Sequence, residues 1–188
     1  MKKQPQITEA TKKKLVDAFW SLYKEKNIEK ITIKEITDKA GYNRSTFYQY
    51  FADVYDILEY MENTLISYMK ENIVIDSIKD DKDEIFLHKI SSIYEEKGEY
   101  LNVLFNVQRN PSFIKKFKET FKPALYLVFG KASVDNIYSD IIFEFSMSAI
   151  IGAFTYWYTH KELISTDEFI VLVRSLLANG AAEQIQSL

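Results

Sequence analysis

The sequence predicts an all-α protein with two domains, a small N-terminal three-helix domain and a larger C-terminal helical domain. Only five Gly and three Pro occur in 188 residues, which favours long helices over a many-turned β architecture. Apolar residues recur at helical spacing along most of the chain. Two capping boxes, Thr32 with Glu35 and Ser165 with Glu168, indicate helix starts. We place the domains at residues 1–52 and 53–188.

The composition excludes several classes of protein. Hydrophobic residues make up 47% and charged residues 27% of the chain, as in globular proteins with a buried core. There is no Cys, which excludes disulfides and thiol catalysis. We expect no signal peptide, because the Lys-rich start is not followed by an apolar run. The longest uncharged apolar stretch, residues 145–158, is shorter than the ~20 residues of a membrane-spanning helix. These features predict a cytoplasmic protein without a membrane partner.

Residues 32–51 predict two short helices joined by a tight turn. Thr32 is expected to cap the first helix, which ends at Gly41, where a residue that tolerates positive φ is needed. Asn43 is expected to cap the second helix. Phe47, Tyr50 and Phe51 then fall on its inner side by helical spacing. A helix-turn-helix of this kind presents the start of its second helix to the major groove of DNA.

Side chains that bond phosphates and base edges occupy the start and outer face of the second helix. Arg44 and Gln49 suit guanine and adenine edges in the major groove. Thr32 and Lys34 start the first helix, where helix N-termini favour phosphate oxygens. The hydroxyl-bearing residues should mostly position the domain on phosphates, although Tyr48 or Tyr50 could instead be a packing residue. The predicted DNA-contacting residues are Thr32, Lys34, Asn43, Arg44, Ser45, Thr46, Tyr48, Gln49, Tyr50 and Tyr55.

The charge is distributed unevenly along the chain. The net charge is −3, yet residues 1–52 carry eleven basic and six acidic side chains, a net of +5. The remainder carries thirteen basic and twenty-one acidic side chains, a net of −8. A basic end joined to an acidic body is expected when one end meets phosphate. A solvated Lys-rich tail would give the same pattern, and the helix-turn-helix inside the basic segment favours DNA.

Residues 8 to about 60 resemble the DNA-binding domain of the TetR family of bacterial transcriptional regulators. The resemblance rests on the amphipathic segment Leu15–Lys26, on the Thr-capped helix ending in Ala-Gly, on Thr46-Phe47-Tyr48-Gln49-Tyr50-Phe51, and on a fourth helix from Asp53. Many members place a Lys at the start of that helix for a DNA phosphate, whereas this chain has Val54, so Tyr55 is expected to substitute. The resemblance implies a homodimeric repressor that a small, partly apolar effector releases from a double-stranded DNA operator.

Glycine and proline are expected to interrupt the helices of the C-terminal domain. The charged segment 76–83 predicts a solvated loop, because its acids lack the spacing of a calcium-binding loop. A helix from residue 84 is expected to stop at Gly98, with a short helix after it. Pro111 suits the first position of the next helix, and Pro123 is expected to kink or break that helix.

Residues 137–160 predict a helix that is apolar on two sides, which two partners must bury. In TetR-like proteins the last two long helices form a four-helix bundle with a second copy, so we expect one stripe to face a partner. The alternative is that both stripes belong to the intramolecular core. The predicted dimer interface is Phe145, Ala149, Gly152, Tyr156, Phe169, Leu172, Val173 and Leu176.

Aromatic residues make up 15% of the chain and should line the interior of the C-terminal domain. The resemblance implies a cavity there for a small ligand. Aromatic residues at helical spacing are more often packed core, so both interpretations stay open. The candidate pocket residues are Tyr94, Phe105, Phe113, Phe117, Phe121, Phe143, Phe154 and Trp157.

The sequence contains no catalytic, metal-binding or nucleotide-binding motif. His88 and His160 lie in different segments, and five scattered glycines form no phosphate-binding loop. We therefore predict a transcriptional regulator that is not an enzyme and needs no cofactor. Two alternatives stay open: a helical enzyme or carrier with an incidental basic end, and an adaptor or ligand-binding protein that has the fold without specific DNA binding.

Overall fold

The computed structural model describes residues 5–72, 83–128 and 137–180, and the regular structure in these ranges is entirely helical. The predicted all-α class is therefore confirmed. Of the expected loop at residues 76–83, residues 76–82 lie outside the described residues, and Asp83 is the first residue of a helix. The α-helices are α1 (Pro5–Tyr23), α2 (Ile33–Ala40), α3 (Arg44–Phe47), α4 (Val54–Asn72), α5 (Asp83–Asn102), α6 (Pro111–Val128), α7 (Ile137–Tyr158) and α8 (Thr166–Asn179).

The chain divides into two compact units, residues 1–65 and 66–188. The division falls inside α4, whereas the sequence places it at the start of that helix. The first turns of α4 pack on the N-terminal unit: Ile57 is fully buried, and the Tyr60 ring lies 5.7 Å from the Phe51 ring. The ammonium of Lys12 on α1 lies 3.6 Å from the centre of the Tyr60 ring. Half of α4 is therefore part of the N-terminal core.

The N-terminal unit is built on one buried face of α1. Leu15 and Phe19 are completely buried there, and the Phe19 ring stacks on Tyr23 at 5.4 Å. Ile36 of α2 and Phe47 of α3 are also completely buried. The apolar spacing that predicts these helices thus supplies the core that holds them together.

The C-terminal unit is built on the inner face of α7. Phe154 and Trp157 are buried there, and the Trp157 ring stacks on Phe169 of α8 at 4.5 Å with 11° between the ring planes. The buried Ser91 hydroxyl of α5 donates to Asp167 Oδ1 at 2.7 Å, which ties the start of α8 to α5. The predicted capping box of Ser165 is present.

The predicted stop at Gly98 is wrong, and Pro123 does not break its helix. Helix α5 continues through Gly98, because that glycine serves close packing: a Cβ there would lie 2.8 Å from Cε2 of Tyr158 on α7. Helix α6 continues through Pro123 to Val128. Packing on α7 holds it, with Phe121 buried and the Lys122 ammonium 2.7 Å from the Asp140 carboxylate.

The reversal between α5 and α6 is irregular. Residues Val103–Val107 form a π-helical turn, and Arg109 has a φ of 46°. Asn110 then caps α6, its Oδ1 accepting from the Phe113 N–H at 3.0 Å. The predicted helix start at Pro111 is confirmed.

By length and composition alone, α7 is apolar enough to cross a membrane. Packing inside the C-terminal unit explains the apolar residues of α7 without a membrane. One side is buried, and its acidic residues Asp140 and Glu144 pair with Lys122 and Lys118 of α6. We interpret α7 as the central helix of a helical domain, with an apolar outer side.

Candidate nucleic-acid interface

The start of α2 is fixed by the predicted capping box. The Glu35 N–H donates to Thr32 Oγ1 at 3.3 Å, and the Thr32 N–H and hydroxyl donate to Glu35 Oε2 at 2.9 and 3.0 Å. The Lys26 ammonium donates to Glu35 Oε1 at 2.6 Å. That bond, with the bonds from Thr32, lowers the pKa of Glu35 from 4.5 to about 2. The Thr32 hydroxyl is thus already engaged, whereas the Lys34 side chain is exposed.

The turn between α2 and α3 is the one that the sequence predicts. Gly41 has a φ of 74°, and the Tyr42 N–H donates to the Thr37 carbonyl at 2.9 Å. Asn43 is extended and caps α3. Left-handed backbone costs a residue with a Cβ about 1–2 kcal/mol, which explains the glycine.

Helix α3 sorts its side chains into a buried and an exposed set. Regular α-helix covers only Arg44–Phe47, and tighter turns follow, with the Tyr50 N–H donating to the Phe47 carbonyl at 2.9 Å. Phe47 and Phe51 point inward and are buried, whereas Tyr50 is half-buried. The exposed residues are Asn43, Arg44, Ser45, Tyr48 and Gln49.

Asn43 accepts three hydrogen bonds at the start of α3. Its Oδ1 receives the Thr46 N–H at 2.9 Å, the Thr46 hydroxyl at 3.0 Å and the Ser45 hydroxyl at 2.6 Å. Ser45 is exposed and Thr46 is half-buried. This network fixes the backbone from which the neighbouring Arg44 projects.

The start of α4 presents Tyr55 to solvent. Asp53 caps this helix, its Oδ1 accepting from the N–H groups of Tyr55 at 2.8 Å and Asp56 at 2.9 Å. The Tyr55 side chain is 55% exposed, whereas Val54 is half-buried. Tyr55 is therefore accessible to a partner from solvent, and its contact with a DNA phosphate stays a prediction.

The aromatic residues predicted for a pocket lie together in the C-terminal unit. The Tyr94 ring is 5.1 Å from Phe154, and the Phe105 ring is 5.0 Å from Phe117 and 6.1 Å from Phe154. Desolvation raises the pKa of Tyr94 to about 12. Each member is buried or half-buried; the members are Tyr94, Phe105, Phe113, Phe117, Phe121, Phe143, Phe154 and Trp157.

The outer side of α7 carries an exposed apolar row, which we call the α7 seam. It repeats with alternating spacings of four and three residues, the spacing of a helix seam that packs on another helix. Phe145 is 73% exposed, Tyr156 is 70% exposed, and nothing lies within 4 Å of a Cβ built on Gly152. The seam consists of Tyr138, Ile142, Phe145, Ala149, Gly152 and Tyr156.

The α7 seam and the predicted dimer interface differ in two respects. Tyr138 and Ile142 extend it beyond the predicted residues, and their heptad spacing was the sequence signal for them. Phe169 instead packs inside the protomer on Trp157. On α8, Leu172 is exposed, whereas Val173 and Leu176 are half-buried.

Two family models match the chain. One, described as bacterial regulatory proteins of the tetR family, matches residues 15–61. The other, described as a transcriptional regulator C-terminal region, matches residues 80–179. The uncharacterized HTH-type transcriptional regulator YxbF of Bacillus subtilis (strain 168) is 25% identical over 160 residues, covering 80% of this chain. The chain spans 40% of the length of YxbF.

Solved structures share the fold. A TetR transcriptional regulator from Streptococcus agalactiae 2603V superimposes with a TM-score of 0.67 at 20% identity, covering 92% of this chain and 96% of that one. NalD of Pseudomonas aeruginosa, described as the secondary repressor of the MexAB-OprM multidrug efflux pump, gives a TM-score of 0.64 at 18% identity, covering 92% and 97%.

The fold and the outward face of α3 define a helix-turn-helix protein. The two family models match its N-terminal unit, which we call the head, and its C-terminal unit, in order along one chain. The chain belongs to the TetR family of bacterial transcriptional regulators. Members of this family are transcription factors, in agreement with the prediction that the chain is not an enzyme.

Proposed function

We propose that this protein binds specific duplex DNA through α3 and the flanking ends of α2 and α4. One observation carries the proposal: in α3 and the turns after it, Phe47 is buried, whereas Arg44, Tyr48 and Gln49 are exposed. Arg44 and Gln49 read base edges, since their planar donor groups suit guanine and adenine. Lys34 and Tyr55 bond phosphates, which sets the register of the head on the duplex.

A second copy of this chain covers the α7 seam. The seam is apolar, has helix-packing spacing and contains Ala149 and Gly152 at its middle, where small residues allow helices to approach closely. Leu172 and Val171 of α8 add exposed apolar surface, at 41% and 52% exposure. Large exposed apolar surface of this kind is typical of protein interfaces. The homodimer then reads a two-fold symmetric operator.

A small, partly apolar effector binds the aromatic cluster and releases the operator. The cluster offers ring surface, and Tyr94 supplies a phenol in desolvated surroundings. An effector acts only through its different affinity for the two states of the protein, typically by ~1–3 kcal/mol. Operator DNA must then weaken effector binding by the same factor. Titrating thermal-shift hits with and without operator measures this factor, and equal affinities would exclude the hit as an effector.

The protein acts in the cytoplasm as a repressor. NalD, which shares the fold, is described as a repressor. Placing the selected operator over a reporter promoter tests the direction of regulation, and higher expression with the protein than without it would show an activator.

The test of DNA binding is selection from random duplexes followed by titration of variants. Arg44→Ala and Tyr48→Ala should each weaken operator binding by ~1–3 kcal/mol, about tenfold to a hundredfold. Lys115→Ala, which removes one exposed cation from α6, is the control and should bind as the wild type does. Circular dichroism verifies that all three fold. Failure of the wild type to enrich any sequence would favour the alternative, an adaptor without specific DNA binding.

A further inference from the structure

The hydroxyl protons of Ser45 and Thr46 on α3 point toward the side chain of Asn43. The Thr46 N–H can only donate, so the atom of Asn43 that it contacts at 2.9 Å is the carbonyl Oδ1. A carbonyl oxygen has no proton to give. The hydroxyls that lie 2.6 Å and 3.0 Å from this same atom, those of Ser45 and Thr46, must therefore both donate to it.

This arrangement determines what the Ser45 hydroxyl can offer to DNA. A hydroxyl has one proton and two lone pairs. With its proton on Asn43, the exposed Ser45 Oγ presents only lone pairs to a partner. Phosphate oxygens are acceptors as well, so Ser45 could bond a phosphate only by giving up its bond to Asn43. The sequence-based expectation that Ser45 contacts a phosphate conflicts with this geometry.

The amino groups of bases are the hydrogen-bond donors in the major groove: N6 of adenine and N4 of cytosine. We propose that Ser45 is a specificity-determining residue that accepts a hydrogen bond from one such amino group. The proposal rests on the proposed DNA-binding function and concerns the same face of α3. Phosphate contacts then fall to groups that keep free protons, such as the Lys34 ammonium and the Asn43 Nδ2 amide.

Chemically altered operators test the proposal, because every base pair presents one amino group in the major groove. Wild type, Ser45→Ala and Ser45→Thr are titrated against the selected operator and its single-base-pair variants. At one base pair, the preference of Ser45→Ala for the operator over its variants should be roughly three- to tenfold lower than that of the wild type, which is the scale of a single hydrogen bond. At that pair the adenine or cytosine is then replaced by its analogue without the amino group. Wild-type affinity should fall, Ser45→Ala affinity should fall less, and the difference isolates the contact.

Two controls make the result specific. Ser45→Thr keeps the hydroxyl and should keep the preference. A 7-deazapurine at the same pair removes an acceptor and should affect wild type and Ser45→Ala equally. A uniform loss of affinity over all operator variants in Ser45→Ala would identify a phosphate contact and overturn the proposal. A wild type that selects no sequence would instead refute the proposed function, which the selection reveals before any variant is made.

Discussion

Replacing Gly152 with Trp places a large side chain in the α7 seam without disturbing the protomer. Apart from the backbone of α7 itself, nothing lies within 4 Å of a Cβ built on Gly152, and the residue is exposed, so the added side chain projects from the surface of the protomer. Removing a glycine from a helix interior is favourable by up to ~1 kcal/mol. At concentrations at which both proteins are monomeric, the folded protomer of the variant should therefore be at least as stable as that of the wild type in urea unfolding.

The stability of the dimer, in contrast, should fall. Packed helices lie with their axes ~8–10 Å apart, which leaves no room for Trp at a small-residue contact. Overpacking costs ~1–3 kcal/mol at each site. A two-fold interface contains the substitution twice, so the dimer loses ~2–6 kcal/mol. The dimer Kd should rise by about 30-fold to about 10⁴-fold.

Sedimentation equilibrium over a concentration series measures this Kd. Gly98→Ala is the matched control: its Cβ would lie 2.8 Å from the Tyr158 ring, so it should destabilise the protomer and leave the dimer Kd unchanged. Monomeric Gly152→Trp should keep wild-type affinity for a half-site duplex and lose ~10²–10⁴-fold on the full operator. An unchanged dimer Kd in Gly152→Trp would show that the seam lies outside the interface.

Three further predictions test the fold around these sites. Gly41→Ala should lower the free energy of unfolding by ~1–2 kcal/mol, since φ is 74° there, and the same loss in Gly152→Ala would show that φ is not the cause. Glu35 has its pKa lowered from 4.5 to about 2, so its stabilisation is present above pH 4.5 and is lost as the pH falls toward 2. Glu35→Gln should therefore flatten the loss of stability in that range, and parallel curves would contradict this. Phe169→Ala should cost the protomer ~3–5 kcal/mol, whereas Leu172→Ala should mainly weaken the dimer, and the reverse pattern would exchange their assignments.

The helix caps were predictable because each depends on residues three or four positions apart. Thr32 with Glu35 and Ser165 with Glu168 form the reciprocal bonds that their spacing predicts. Gly41 adopts the left-handed conformation that follows a helix before a tight turn. Such bonds are local, so no tertiary contact is needed to identify them.

The continuation of α5 through Gly98 and of α6 through Pro123 was not predictable, because tertiary contacts decide it. A glycine can end a helix or let another helix approach, and only the position of Tyr158 shows that Gly98 does the second. Pro123 removes one helical hydrogen bond, but the neighbouring Phe121 and Lys122 hold α6 to α7. Helical periodicity likewise places Phe169 and Leu172 on one face without showing which of them the protomer covers.

The exposed side chains of α3 were predictable as a set, but their hydrogen bonds were not. The outer face of α3 follows from the buried positions of Phe47 and Phe51. Whether Ser45 offers a proton or a lone pair depends on the carbonyl of Asn43, 2.6 Å away. Residue type fixes the inventory of donors and acceptors, and three-dimensional neighbours decide which of them remain available.

The short α3 makes the second copy necessary for the proposed function. Regular helix covers four residues, so in the proposed complex each head has few side chains to read bases: Arg44, Ser45 and Gln49. At ~1–3 kcal/mol for each good base contact, one head cannot separate its site from the many competing sequences of a genome. Two heads joined through the α7 seam double the number of base pairs read, and the second head binds as an intramolecular event. The small base-reading surface of one head therefore requires a second copy, and the exposed apolar seam is the surface that we propose for binding it. Comparing the affinities of Gly152→Trp for the half-site and for the full operator measures this requirement.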